Sequence, residues 1–189
     1  GCLAAATVLL LVNDQQAAEA EAKASDPSDE PGQPPPPHLP RLCGLFLEAP
    51  MLDHRCDSES MRSLDSNGPF FNGQACRFAW QQVLQDEPVV TKYMAPALAT
   101  REDLARFPPT AAYVGNMDPL YSELEAWMAV AGRDDFVYRV FEGLPHGFDA
   151  MLPEEEVSRE AKLWRLNWIQ ARFGISKWNV STLECQSLL

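Results

Sequence analysis

Two residues have types and spacing suited to chemistry: Asp118 and His146. Asp118 directly follows the apolar run 110–117, TAAYVGNM. His146 sits in the loop Gly143-Leu144-Pro145-His146-Gly147-Phe148, just past the run 135–142, DFVYRVFE. The first run has the length and composition of a buried strand, and the second alternates Phe136, Tyr138 and Val140 on one side. A carboxylate that accepts a hydrogen bond from an imidazole fixes the ring in one tautomer. It also stabilises the imidazolium formed when the ring takes a proton from a hydroxyl. Taken singly, each residue has a plainer reading. An Asp after a strand commonly caps a helix or makes a turn, and a loop His is commonly a surface residue. The order strand, Asp-Pro-Leu, helix, strand, His-Gly-Phe, closing helix is far more specific than either residue alone.

The elements that must position this pair follow from the pattern around it. Residues 120–132 read as a helix ended by Gly132 at its C′ position. Residues 42–48, LCGLFLE, are a short apolar run bounded by turn signals and read as another buried strand. Residues 153–173 form an amphipathic helix with Leu163, Trp164, Leu166, Trp168, Ile169 and Phe173 on its apolar face. Glu154, Glu155 and Glu156 lie in its first turn, where the helix dipole favours acids. Strands alternating with helices imply an α/β fold with a parallel sheet. In such sheets functional groups gather beyond the carboxyl ends of strands, where Asp118 and His146 both fall. Elsewhere, residues 1–23 read as a largely buried helix, 51–75 as loop and short helix, 76–85 as helix and 86–109 as irregular. Residues 25–40, SDPSDEPGQPPPPHLP, are a proline-rich loop or insertion that cannot be helix or central strand.

Bulk properties narrow the function classes. The chain has 189 residues, 46% of them hydrophobic and 22% charged, which suits one globular domain. A net charge of −12 argues against nucleic acid or an anionic membrane as partner. The apolar run 2–12 is too short to span a bilayer, which needs roughly 20 residues, and no basic segment precedes it as in a signal peptide. The five cysteines, Cys2, Cys43, Cys56, Cys76 and Cys185, show no CxxC pair and suggest neither a metal site nor a disulfide framework. Cys2 and Cys43, in apolar runs, read as small core residues. A reducing, cytoplasmic setting fits this usage. Asn179-Val180-Ser181 matches a glycosylation sequon, a pattern frequent by chance.

The segment from Tyr93 to Asp149 resembles the C-terminal part of the hormone-sensitive-lipase-like branch of the α/β-hydrolases. The matching stretches are Tyr93-Met94-Ala95-Pro96, Phe107-Pro108-Pro109-Thr110, Gly115-Asn116-Met117-Asp118-Pro119-Leu120, Ala131-Gly132 and Pro145-His146-Gly147-Phe148-Asp149. Residues 42–56, with Glu48-Ala49-Pro50-Met51-Leu52-Asp53, resemble the strand and loop of the same branch that precede its cap-adjacent region. The similarity extends over most of residues 1–172, interrupted by the proline-rich stretch. It implies that Asp118 is the acid and His146 the general base of a Ser…Asp…His triad. Gly1-Cys2-Leu3-Ala4-Ala5-Ala6 looks like the last glycine of the nucleophile elbow and the start of the helix after it. By that resemblance the serine falls just upstream of Gly1 and the oxyanion-hole loop further upstream. None of Ser25, Ser28, Ser58, Ser60, Ser63, Ser66, Ser122, Ser158, Ser176, Ser181 and Ser187 lies in Gly-x-Ser-x-Gly. Glu123 falls where this branch often has an acid and reads as a structural or surface residue. Phe70, Phe71, Phe78 and Trp80 are candidates for an acyl pocket, with core packing the plainer reading.

The expected architecture is therefore an incomplete α/β-hydrolase domain over residues 1–173, lacking its N-terminal strands, with a tail at 174–189. The expected activity of the parent enzyme is carboxylic ester hydrolysis on a small-molecule ester through an acyl-enzyme, needing no cofactor or metal. The 189-residue chain alone is expected to be inactive, and its exposed half-sheet to fold poorly or need a partner. Two other readings stay open: a non-catalytic binding protein on the same fold, and a related serine peptidase or amidase. Oligomeric state is not legible.

Overall fold

The computed structural model describes residues 2–24, 42–66 and 71–174. The proline-rich stretch, Phe70, the sequon and Cys185 lie outside them. The chain begins with helix α1 (Cys2–Ala24), followed by strand β1 (Leu45–Glu48). Two helices come next, α2 (Glu59–Ser63) and α3 (Gly73–Leu84), then a 3-10 turn at Pro96–Leu98 and the short helix α4 (Arg101–Leu104). The second half runs β2 (Thr110–Met117), α5 (Tyr121–Ala131), β3 (Phe136–Pro145), α6 (Phe148–Met151) and α7 (Glu156–Phe173). The strands form one parallel sheet in the order β1-β2-β3. The α/β class, the parallel sheet and the three strands all agree with the sequence expectation.

β2 is central, and its first six residues are buried, as a strand covered on both faces requires. On one face α1 packs Ala5, Val8, Leu9 and Val12, at helical spacing, into a core with Leu45, Leu47, Ala112, Val114 and Leu124. Trp127 of α5 joins this core and donates its indole N–H to the Pro96 carbonyl at 3.0 Å. On the other face Phe46, Tyr113, Phe141 and Phe148 pack with Ala161 and Trp164 of α7.

Several expectations need correction. The apolar side of α7 is only half covered: Leu163 is 44% and Phe173 63% exposed. The physical reason is the width of the sheet, since α7 lies over β1 and its aromatic partner is chiefly Phe46. Tyr138 is 38% exposed because β3 is an edge strand of the described sheet. Cys43 is exposed and Cys2 only half-buried, whereas Cys56 and Cys76 are the cysteines of the core. An apolar neighbourhood in sequence did not fix which side of the chain those thiols occupy.

The end of β3 carries a register shift that the sequence pattern missed. Gly115 pairs with Phe141, yet Met117 pairs with Pro145, so β3 contains extra residues between these points. Gly143 (φ 72°) sits in that irregularity, and the Asn116 side chain clamps it, its Oδ1 accepting the Gly143 N–H at 2.7 Å. Gly115 allows the close approach: a Cβ there would land on the Leu144 carbonyl oxygen. Gly115→Ala is therefore expected to destabilise the fold by about 3 kcal/mol, read as a lowered urea midpoint with unchanged slope. A midpoint within error of the parent would refute this account of the bulge.

Candidate functional site

The bulge delivers His146 beyond the sheet edge, next to the end of β2. Asp118 follows β2 directly and is fully buried. Its Oδ1 accepts the Leu120 N–H at 2.9 Å, an Asx turn that starts α5. Its Oδ2 lies 2.8 Å from Nδ1 of His146. A buried carboxylate oxygen can only accept there, so Nδ1 carries the proton and Nε2 is the basic nitrogen. The His146 side chain is 31% exposed against 0% for Asp118. The imidazole thus bridges a dry acid and an open space. Gly147 (φ 66°, ψ 22°) takes the left-handed conformation that turns the chain from β3 into α6.

Two further contacts fix the loops. Ser60 of α2 donates its hydroxyl to the Pro119 carbonyl at 2.7 Å and accepts the Ser122 N–H at 3.0 Å, which ties α2 to the Asp118 turn. Tyr113 of β2 donates its hydroxyl to Asp149 Oδ2 at 2.8 Å, which anchors the loop after His146. Burial, then the hydrogen bond to Asp149, pushes the Tyr113 phenol well above its usual range. At the end of β1, Glu48 pairs with Arg165 of α7. These groups surround a cavity of about 180 Å³ lined by Glu48, Ala49, Tyr113, Asp118, His146 and Asp149, among others. Ligand pockets usually start near 300 Å³, so this one has room for a few heavy atoms beside the imidazole.

The two residues singled out for chemistry are therefore in direct contact. The other candidates separate. Phe78 is 63% exposed and Trp80 is 2% exposed in the core, its ring edge-on to His54. Phe71 lies against His146, with ring centroids 4.4 Å apart. Cys2 packs among Cys56, Met61, Cys76 and Leu120. Burial raises its thiol above the usual range, which disfavours a thiolate nucleophile. Ser58, Ser60, Ser63, Ser122 and Ser158 are all hydrogen-bonded to backbone groups.

Glu123 is the residue whose surroundings the sequence concealed. It is 3% exposed, which rules out the surface reading. Its Oε1 accepts the N–H groups of Leu52 (2.6 Å) and Asp53 (3.4 Å), so α5 grips the loop after β1. Its Oε2 has no hydrogen-bond partner among the described residues. Burial pushes this carboxyl up to about 8, outweighing the two backbone N–H groups that lower it. Neighbouring Asp53 behaves oppositely: burial raises it, but hydrogen bonds from Arg55 hold it below the usual carboxylate range. Among the described residues, no group of three or more His, Cys, Asp or Glu side chains is arranged to hold a metal. Nor is any helix long and apolar enough to cross a membrane.

Comparison with known proteins identifies the fold. A family model described as α/β hydrolase fold matches residues 1–150. Esterase LipW from Mycobacterium marinum superimposes with a TM-score of 0.66 at 23% identity, over 86% of this chain and 47% of that one. Brefeldin A esterase, a bacterial homologue of human hormone-sensitive lipase, gives 0.67 at 19%, over 91% and 45%. A bacterial heroin esterase gives 0.64 at 23%, over 92% and 48%. Identities at this level show a shared fold, and the chain spans about half the length of each of these proteins. The comparison with curated proteins returns no match. The chain belongs to the α/β-hydrolase fold family.

Proposed function

We propose that Asp118 and His146 are the acid and general base of a carboxylic ester hydrolase that works through an acyl-enzyme. The observation that carries this reading is the 2.8 Å contact between a fully buried Asp118 and a part-exposed His146 at the mouth of a small cavity. In this mechanism Nε2 of His146 removes the proton from a serine hydroxyl as it attacks the ester carbonyl. The ring then returns that proton to the departing alcohol oxygen, and repeats the exchange with water to release the acid. Asp118 holds the tautomer and stabilises the imidazolium throughout. The serine and the oxyanion donors come from outside residues 1–189, so this chain is the acid–base part of the catalytic unit. Residues 1–173 constitute that part of the domain and 174–189 a tail. The esterase names of the superimposed proteins favour a small-molecule ester over a peptide, and the free thiols suit a reducing, cytoplasmic compartment.

The test is hydrolysis of p-nitrophenyl acetate by the 189-residue chain and by a chain extended through its upstream coding sequence. The expected result is background rate for the first and turnover for the second, abolished by His146→Ala. Turnover that survives His146→Ala, or an extended chain with no turnover, would overturn the proposal.

A further inference from the structure

The hydrogen bond to Asp118 pins the His146 ring at one point only. Rotation about the Nδ1···Oδ2 direction is left free, and the terminal torsion of His is intrinsically broad. A face contact removes that freedom. The Phe71 ring lies with its centroid 4.4 Å from that of the imidazole, tilted by 33° against its face. Phe71 is partly buried at the entrance of α3, whose start is well fixed. Asn72, the next residue, caps α3, its side chain accepting the Ala75 N–H at 3.0 Å. Gly73 donates to the Leu64 carbonyl at 3.1 Å, and a Cβ at Gly73 would lie 2.6 Å from the Met61 carbonyl oxygen, so α3 starts pressed against α2. Arg77 and Asp65 pair across the same junction. Phe71 also packs on the buried cluster that contains Leu120, whose N–H binds Asp118.

We propose that Phe71 is a positioning residue for His146: its ring covers one face of the imidazole and keeps Nε2 presented opposite the Asp118 bond. The α2–α3 junction thereby sets the aim of the base, although neither helix contributes a group to the acid–base pair. The inference rests on the hydrolase reading for its functional meaning, but its test needs no turnover, so the two can fail separately.

The experiment is NMR of the full 189-residue chain with ¹⁵N-labelled histidine, His146 being assigned among the three histidines by His146→Gln. In the parent chain the expected findings are an Overhauser contact between the two rings and a single Nδ1–H tautomer pattern. In Phe71→Leu the ring-current shift of the His146 ring protons is expected to vanish and their relaxation to show added ring motion, while the Nδ1–H pattern set by Asp118 persists, and Phe71→Trp is expected to restore both the shift and the rigidity. Phe71→Met repeats the measurement where Phe71→Leu does not fold. Absence of the Overhauser contact in the folded parent chain, alone or within the chain extended upstream, overturns the inference. So does unchanged ring-proton relaxation of His146 in the folded Leu or Met variant.

Discussion

If Asp118 and His146 act as proposed, Asp118→Asn lowers kcat of the extended chain by about 10⁴-fold while leaving the fold intact. The magnitude is that of the same substitution in serine-protease triads, and it corresponds to about 5.5 kcal/mol of barrier. The cause lies in the two partners of the carboxylate. Oδ1 accepts from the Leu120 N–H and Oδ2 faces Nδ1 of His146. A backbone N–H can only donate, so an asparagine must turn its carbonyl oxygen toward Leu120 and its NH₂ toward the imidazole. Nδ1 then becomes the acceptor, the proton moves to Nε2, and the ring can no longer take a proton from serine. Both hydrogen bonds survive in altered polarity, so the stability change should stay within about 1 kcal/mol. Steady-state kinetics on the extended chain, with ¹⁵N tautomer patterns on the 189-residue chain, check both halves. A kcat within tenfold of the parent would sink the assignment of Asp118. A large loss of stability would show instead that Asp118 matters mainly as the start of α5.

The pairing of Asp118 with His146 was legible because each follows a strand that the sequence announces. Residues 110–117 are a continuous apolar run, as a strand buried on both faces must be, and the boundaries matched the structure residue for residue. β3 was less legible. Its last residues, Gly143, Leu144 and Pro145, read as loop, yet a bulge clamped by Asn116 keeps them in the strand. α3 starts at Gly73, ahead of the start at residue 76 that the sequence pattern predicts, because Asn72 and Gly73 read as turn residues but are the cap and first residue of the helix. Glu123 and Phe71 show a deeper limit. Whether a carboxylate is buried depends on which backbone N–H groups come to meet it, and those of Leu52 and Asp53 arrive from a distant loop. Likewise nothing local to Phe71 says that its ring meets His146. The four-residue cue Asn-Gly-Gln-Ala at 72–75 could have revealed the helix start, and with it the place of Phe71 at a helix entrance.

Glu123 should make the fold lose stability as pH rises from about 5 to about 8.5. The unfolded carboxyl releases its proton near its ordinary value of 4.5, whereas the folded one holds it up to about 8 because burial disfavours the charge. Between these values the folded state binds more protons than the unfolded state, so unfolding free energy falls with increasing pH. The contribution is fully present below 4.5 and lost as pH passes through about 8; the gap is worth on the order of 5 kcal/mol. Asp53 adds nothing in this window, since Arg55 keeps it ionised throughout. Glu123→Gln retains an acceptor for the Leu52 and Asp53 N–H groups but cannot ionise. Urea titrations at pH 5, 7 and 8.5 should therefore show a steep loss in the parent and a shallower one in the Gln variant, with the variant the more stable at pH 8.5. Parallel pH profiles for the two would mean that Glu123 is ionised in the fold and that Oε2 finds a partner. The direction matters for the site. An ionised Glu123 would place a further buried negative charge where Asp53 and Asp118 both repel it, although its bonds from the Leu52 and Asp53 N–H groups would strengthen. The same proton that stabilises the fold thus also spares the acid–base pair that repulsion.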